Sequence, residues 1–406
     1  MGLRISIYDE PASSGIGGSE VVAALLAETL AREHHVDVYH HIPWLTSEKL
    51  AQSCGTDLTN VRLHYVPTNG GSLQLSRRNP FNHYKDSRSL NAGLSESYDL
   101  FIAIVHGVPP FCHAARGALI VLFPTPTAPY REPQGALSLK LALRHPARFL
   151  YQQWEWARRM KSYQLKTAIS DFSRRWTQRR WRIDCQIVYP PVDTDFRRVE
   201  KEKFILSVGR FAIEGEGYKK QEQMLATFHR MKEQGLKGWE YVCAGGLSET
   251  AEHQSYFENL STIAASSGAQ LIANIGRDEL KCRYERASIF WHAAGYGEDE
   301  NTRPVFLEHF GMSTVEAMAA GCVPVVINKG GQPEIVEHGV SGFLWETLDE
   351  LREYTLILIN DDYLRAKMSE AARERAQLFS REAFIARFLR FSSAELRTHE
   401  SVVNKI

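Results

Sequence analysis

Two series of short, unbroken apolar runs, parted by a proline-broken stretch, constrain this chain more than any other feature of its sequence. The first series is LRISIY (3–8), VDVYHH (36–41), LFIAIV (100–105) and ALIVLF (118–123). The second is FILSVG (204–209), WEYVCAGG (239–246), QLIANIG (270–276), ASIFWHAAG (287–295) and VPVVI (323–327). Most of these runs do not alternate apolar with polar residues, so they belong to strands covered on both faces, which means parallel strands between layers of helix. The intervals carry helical patterns, such as VVAALLAETLARE after the Gly-rich turn Gly15-Ile-Gly-Gly-Ser-Glu20. Between the series, Val188-Tyr-Pro-Pro-Val-Asp-Thr-Asp-Phe196 cannot continue as helix, because its prolines lack an amide donor and push the preceding residue to extended geometry. At 406 residues the chain is too long for one ordinary core and suits two. The expected fold class is α/β with two doubly wound Rossmann-like domains, 1–198 and 199–380, and terminal helical sequence over 381–406. Ligands of such sheets sit beyond the carboxyl ends of the strands, so two domains facing each other would hold a cleft there.

Composition removes several alternatives. The start, MGLRISIYDE, is charged and lacks a long apolar run, which argues against a secretory leader, and no stretch has the apolar length of a membrane span. Six scattered cysteines without a C-x-x-C pair suggest reduced thiols and a cytoplasmic setting. His34-His35 and His40-His41 flank a strand-like run without ligand spacing, so they read as structural. The net charge is zero but uneven: residues 140–182 hold twelve Lys/Arg against Glu155 and Asp171, interleaved with Phe149, Tyr151, Trp154, Trp156, Trp176 and Trp181. A basic surface with aromatics suits an anionic membrane face, with a solvated helix and core aromatics as the plainer reading; nothing else in the sequence supports nucleic acid.

The run EHFGMSTVEAMAAGCVPVVINKGGQPEIVEHGVSGFL (308–344) carries the strongest chemical signal. Glu308 and Glu316 flank a glycine and a helix start. Gly311, followed by Met312, permits close backbone approach, and Ser313 or Thr314 can cap a helix over 314–320 whose free N–H groups attract phosphate. Gly330-Gly331 opens a second turn before a helix begun by Pro333. Glu308 can reach a sugar, and Glu316 can bind a ribose diol with both oxygens. The competing reading of Ser313-x-x-Glu316 is a capping box with no chemistry. The stretch resembles the E-x7-E region of the family 4 glycosyltransferases of GT-B fold.

Other segments fit the same resemblance. In SVGRFAIEGEGYKKQ (207–221), a strand ending at Gly209 projects Arg210, and Lys219-Lys220 follow at the next helix start. An Arg and a Lys converging on a diphosphate would neutralise leaving-group charge. Gly15-x-Gly17-Gly18-Ser19-Glu20 departs from the dinucleotide fingerprint, since Glu20 stands where the third glycine is needed. His106 follows the strand LFIAIV, where a lone histidine is either structural or turned to a ligand. Asp193-Thr-Asp195 has a metal-binding D-x-D form but sits in the linker, and Glu298-Asp299-Glu300 reads as a solvated, mobile insertion.

The resemblance implies a GT-B fold whose domains face a central cleft, with the last helix crossing back to the first domain. It implies transfer of a hexose from a nucleotide-diphosphate sugar to an acceptor hydroxyl on a glycan or lipid carrier, with retention and without a metal or other cofactor. The matching residues would be Arg210 and Lys219, with Lys220 second, on the diphosphate, Glu308 on the sugar, Glu316 on the ribose, and the Gly311–Thr314 backbone on phosphate. His106 and the Gly17-Gly18 amides would complete the site. EHFG leans toward the mannosyl-adding members and hence a GDP-sugar, and the extra residues 295–307 depart from the common pattern. A nucleotide-sugar epimerase and a silent nucleotide-binding subunit of a membrane complex are the alternatives. An enzyme of this kind would work in the cytoplasm, peripheral to the inner face of a membrane.

Overall fold

In the computed structural model, residues 2–10, 16–67, 91–125, 143–144, 146–213 and 218–390 are described. The chain divides into two compact units, Met1–Pro191 with Phe384–Ile406, and Val192–Ala383. Each holds one parallel sheet among the described residues.

The first sheet runs β3-β2-β1-β4-β5-β6-β7. Its strands are β1 (Arg4–Asp9), β2 (His35–His40), β3 (Val61–Tyr65), β4 (Leu100–Val105), β5 (Arg116–Val121), β6 (Leu165–Ala168) and β7 (Gln186–Ile187). The second runs β10-β9-β8-β11-β12-β13, with β8 (Glu202–Val208), β9 (Glu240–Gly245), β10 (Gln270–Ala273), β11 (Ala287–His292), β12 (Val323–Ile327) and β13 (Phe343–Trp345). In both sheets the strand order reverses beside the first strand, between β1 and β4 and between β8 and β11. A reversal of this kind is where the strand ends of a doubly wound sheet suit a ligand.

The apolar runs are buried as continuous hydrophobic strands should be: every residue of β11 and β12 is buried. Large side chains of the second core satisfy their polar ends. Tyr241 and Trp291 pack with ring centroids 5.2 Å apart, the Tyr241 hydroxyl pairs with Ser207 at 2.8 Å, and the Trp291 indole donates to Thr355 at 2.9 Å. Each such ring contributes about 2–3 kcal/mol by leaving water.

The basic segment is less of a surface than its composition suggested. In the helix Pro146–Lys161, Arg159 is buried, pairs with Glu155 and donates to the Pro109 carbonyl at 2.7 Å. In the helix Asp171–Trp181, Arg180 is buried across the Phe123 and Trp176 rings and donates to the Pro124 carbonyl. Trp176 and Trp181 are core residues, so the plainer reading holds for them. The outer side of the first helix keeps Leu150 65% and Trp154 47% exposed, with Arg158 stacked on Trp154 at 4.8 Å.

Candidate functional site

Chemistry-bearing residues of the second unit gather at the ends of β8 and β11. Gly209 and Gly245 end neighbouring strands so closely that a Cβ on Gly245 would lie 1.9 Å from the Gly209 carbonyl oxygen. A Cβ on Gly209 would lie 2.6 Å from Lys219 Cγ, so the missing side chain leaves room for the lysine stem. Arg210 follows at once and is exposed, and its carbonyl accepts a bond from Gln221 at 2.9 Å. The missing side chain at Gly209 therefore lets the Lys219 stem lie against the strand end that carries Arg210.

Lys219 Nζ pairs with Glu308 Oε2 at 2.5 Å, and His292 Nε2 lies 3.0 Å from the same oxygen. Burial, the largest influence, pushes the Glu308 carboxyl up, but Lys219 and His292 together overcome it and hold the group well below the carboxylate range. Its backbone is equally fixed. Gly331 donates its amide to the Glu308 carbonyl at 2.8 Å, and Gly330, at φ 63°, leaves no space for a Cβ, which would lie 2.3 Å from that carbonyl. The Gly330-Gly331 turn thus clamps Glu308, a contact that the spacing in the sequence does not reveal.

Glu308 leads into the helix Met312–Ala319, whose N-cap is Gly311 at φ 119° with no side-chain cap bond. Ser313 lies inside the first turn, so the capping-box alternative does not describe Glu316. Instead the Tyr284 hydroxyl donates to Glu316 Oε2 at 3.1 Å. Burial raises the Glu316 carboxyl to about 7, opposed by that bond and by the Arg277 charge. Thr314 is fully buried on the helix side, while Met312 and Ser313 are partly exposed.

Lys220 turns elsewhere. It adopts φ 57° at the start of the helix Gln221–Glu233, and its Nζ pairs with Glu298 Oε1 at 2.8 Å. Glu298 also pairs with Arg303 at 3.0 Å, and Lys329 donates to its carbonyl at 2.6 Å. The expectation of a solvated, mobile acidic run therefore fails at Glu298, which is only 10% exposed because three cations converge on it. Asp193 pairs with Arg277 and Lys281 at 3.2 and 3.8 Å, and the Asp195 amide donates to Asp193 at 3.1 Å.

In the first unit, His106 follows β4, and Ser19 and Glu20 lie beside Asp9 at the end of β1. The Glu10 carboxylate accepts the amides of His106 and of Gly107, the latter at 2.6 Å. Burial pushes the His106 ring down to about 4, so it is neutral at physiological pH. Gly18 begins the helix Gly18–Ala31, and the Gly17 amide, expected to face a phosphate, donates to Glu20 Oε2 at 2.7 Å. Ser19 donates to the same oxygen at 2.9 Å. Neighbouring Asp9 is held well above the carboxylate range by burial and by the charges of Glu20 and Glu10.

Sequence reasoning missed His292, Tyr284, Glu10 and Asp9. All four stand in or beside apolar strands or inside a helix without a motif of their own. The strand-end rule that selected His106 also applies to His292, the last residue of β11.

Two family models match the chain, "Glycosyltransferase Family 4" over residues 16–196 and "Glycosyl transferases group 1" over residues 193–375. A Dictyostelium discoideum GDP-Man:Man(3)GlcNAc(2)-PP-Dol alpha-1,2-mannosyltransferase is 30% identical over 226 residues, covering 51% of this chain and 42% of that protein. The human alpha-1,3/1,6-mannosyltransferase ALG2 is 24% identical over 230 residues, covering 52% of each. The chain thus spans about half the length of the curated relatives it matches. Among solved structures, a glycosyltransferase from Rickettsia africae ESF-5 aligns with TM-score 0.68 and 15% identity over 97% of this chain and 99% of that one. Anabaena HepE in complex with UDP-glucose aligns with TM-score 0.64 and 17% identity over 97% of this chain and all of that one. At these identities the structural likeness speaks for the fold.

Proposed function

The chain belongs to the family 4 glycosyltransferases of GT-B fold, and on that premise we propose that it moves a hexose from a nucleotide-diphosphate sugar to an acceptor hydroxyl with retention of configuration. The observation that carries this reading is the ion pair between Lys219 and Glu308, which joins the Arg210 segment to the E-x7-E segment. A cation that follows the Arg210 strand end and an ionised carboxylate, paired at one site, match what the reaction needs. The diphosphate gathers charge as it leaves, and the sugar must be held by its hydroxyls while it does.

In this reading Arg210 and Lys219 neutralise the leaving diphosphate, so no metal or other cofactor takes part. Glu308 accepts from sugar hydroxyls, the Gly311–Thr314 backbone approaches phosphate, and Glu316 binds ribose. Lys220, fixed by Glu298, is a supporting cation. In the first unit, His106, Gly17 and Gly18 are our candidates for donor contacts. The acceptor hydroxyl attacks the face the diphosphate leaves, and its proton passes to the departing phosphate, so no protein nucleophile is needed.

The donor we favour is a GDP-sugar such as GDP-mannose, because the curated relatives above, about half of whose length is matched, are mannosyltransferases. A glycan or lipid-linked acceptor follows from the same likeness. The exposed Leu150 and Trp154 beside Arg158 suit peripheral contact with an anionic membrane on its cytoplasmic face. No described helix is long and apolar enough to cross one. The direct test is thermal shift with GDP, UDP, ADP and TDP, followed by release of nucleotide from the matching sugar donor. Stabilisation by GDP and GDP-mannose turnover are expected; stabilisation by none of the four would remove the reading.

A further inference from the structure

We infer that His292 is a positioning residue for the transfer: its ring holds the Glu308 carboxylate by one oxygen, so that the other is presented to the donor sugar. The inference rests on the proposed role of Glu308 and goes beyond it by naming what orients that acid.

The geometry is specific about which atom does what. Among the described residues, both protein contacts of the carboxylate fall on Oε2, from Lys219 Nζ at 2.5 Å and His292 Nε2 at 3.0 Å. None falls on Oε1. The Glu308 side chain keeps 18% of its surface, whereas His292 keeps 2%. One oxygen is therefore held by the protein, and the other, without a hydrogen-bond contact among the described residues, is the one to which a sugar hydroxyl can donate.

The two contacts are not equivalent. Lys219 reaches Glu308 on a flexible stem, and an ammonium is a point donor with three rotatable protons. In the proposed reaction it must also serve the diphosphate. His292 is planted at the end of a fully buried strand and donates along one fixed direction. When Lys219 turns to the phosphates, His292 is the contact that keeps Glu308 in place.

The ring's other nitrogen supports the assignment. His292 Nδ1 is buried and has no hydrogen-bond partner among the described residues. A histidine kept only to tie a core together ordinarily uses both nitrogens. To donate to Glu308 the proton must sit on Nε2, and burial, which lowers the ring's proton affinity, keeps it neutral. A neutral ring directs the carboxylate without competing with Lys219 for its charge.

The experiment compares His292→Gln, His292→Asn and His292→Phe. Glutamine carries its amide nitrogen near the position of Nε2; asparagine carries it near Nδ1, short of Glu308. GDP affinity by calorimetry serves as the control for an intact fold and is expected to stay within about twofold of wild type. Initial GDP release from GDP-mannose, and UDP release from UDP-glucose, are measured with Glu308→Gln alongside. His292→Asn and His292→Phe should lower kcat about 100-fold at nearly unchanged KM, while His292→Gln recovers most of the rate. If His292→Asn turns over donor like wild type while Glu308→Gln is inactive, the positioning role is wrong and the Glu308 reading stands. If Gln is as poor as Asn, the ring acts by filling space and the proposal also fails. Normal turnover by Glu308→Gln would overturn the underlying reading itself.

Discussion

The Tyr284 hydroxyl donates to Glu316 Oε2 across 3.1 Å, linking the helix Arg277–Arg286 to the helix Met312–Ala319 within the second unit. That bond opposes the effect of burial, which raises the Glu316 carboxyl from 4.5 to about 7. A carboxyl raised in the folded state favours its protonated form. Its stabilising contribution is full below pH 4.5 and is lost as pH rises through about 7. Glu316→Gln can still accept from Tyr284 and carries no charge to bury. It should exceed wild type in stability at pH 8 by on the order of 3 kcal/mol and match it near pH 4. Urea unfolding at the two pH values decides; equal stability at pH 8 would mean the carboxylate ionises without cost.

The same substitution should have the opposite effect on ligand. If Glu316 holds ribose, Glu316→Gln weakens free-nucleotide binding, whereas Glu308→Gln leaves it close to wild type and abolishes turnover. Arg210→Ala and Lys219→Ala should each slow transfer by roughly two to three orders of magnitude, about 3–4 kcal/mol of lost charge stabilisation. Calorimetry with nucleotide and initial rates with donor separate the two glutamates. Identical behaviour of both variants would remove the division of labour.

The glycine pair at the ends of β8 and β9 should fail in two distinguishable ways. A Cβ at Gly245 meets backbone at 1.9 Å, so Gly245→Ala should destabilise the second unit by several kcal/mol. A Cβ at Gly209 meets the Lys219 stem at 2.6 Å, which can move aside. Gly209→Ala should therefore cost rate more than stability. Unfolding curves and turnover, measured on both variants, test this; a stable Gly245→Ala would mean the strand ends are looser than they look.

These cases mark what the sequence could reveal. Strand runs such as ASIFWH and VPVVI were legible because burial on both faces leaves a continuous apolar signature. β3 was not, since VRLHY mixes exposed and buried residues at a sheet edge. Arg210, Lys219 and Glu308 were legible as separate motifs, but the meeting of Lys219 with Glu308 was not, since they lie 89 residues apart and the β8–β11 neighbourhood joins them. Glu298 was misread because an acidic run looks solvated until the chain brings Lys220 and Arg303 to it.

The charge balance of the site bears on metals. If Arg210 and Lys219 neutralise the leaving diphosphate as proposed, donor turnover should persist in EDTA. Loss of turnover in chelator, restored by magnesium or manganese, would give the proposed role of the two cations to a metal.

The exposed side of the helix Pro146–Lys161 should bind vesicles containing anionic lipid at low salt and release them as salt rises, because exposed charges are screened within about 10 Å at 0.1 M. Leu150→Ser with Trp154→Ser should reduce sedimentation with the vesicles and leave nucleotide binding intact. Equal binding to neutral vesicles, or none to either kind, would remove membrane contact from the proposal.

The first unit is assembled from two separated stretches of chain, since Phe384 and Phe388 are buried in stacked contact and Arg387 lies over the Tyr189 ring. During synthesis, the ribosome must make all of Val192–Ala383 before it delivers the piece that completes what it began first. The second unit, continuous in sequence, can acquire its structure while still tethered. The first waits with an unfinished hydrophobic surface. A nascent chain halted before Phe384 should then present a protease-resistant second half and a chaperone-dependent first half.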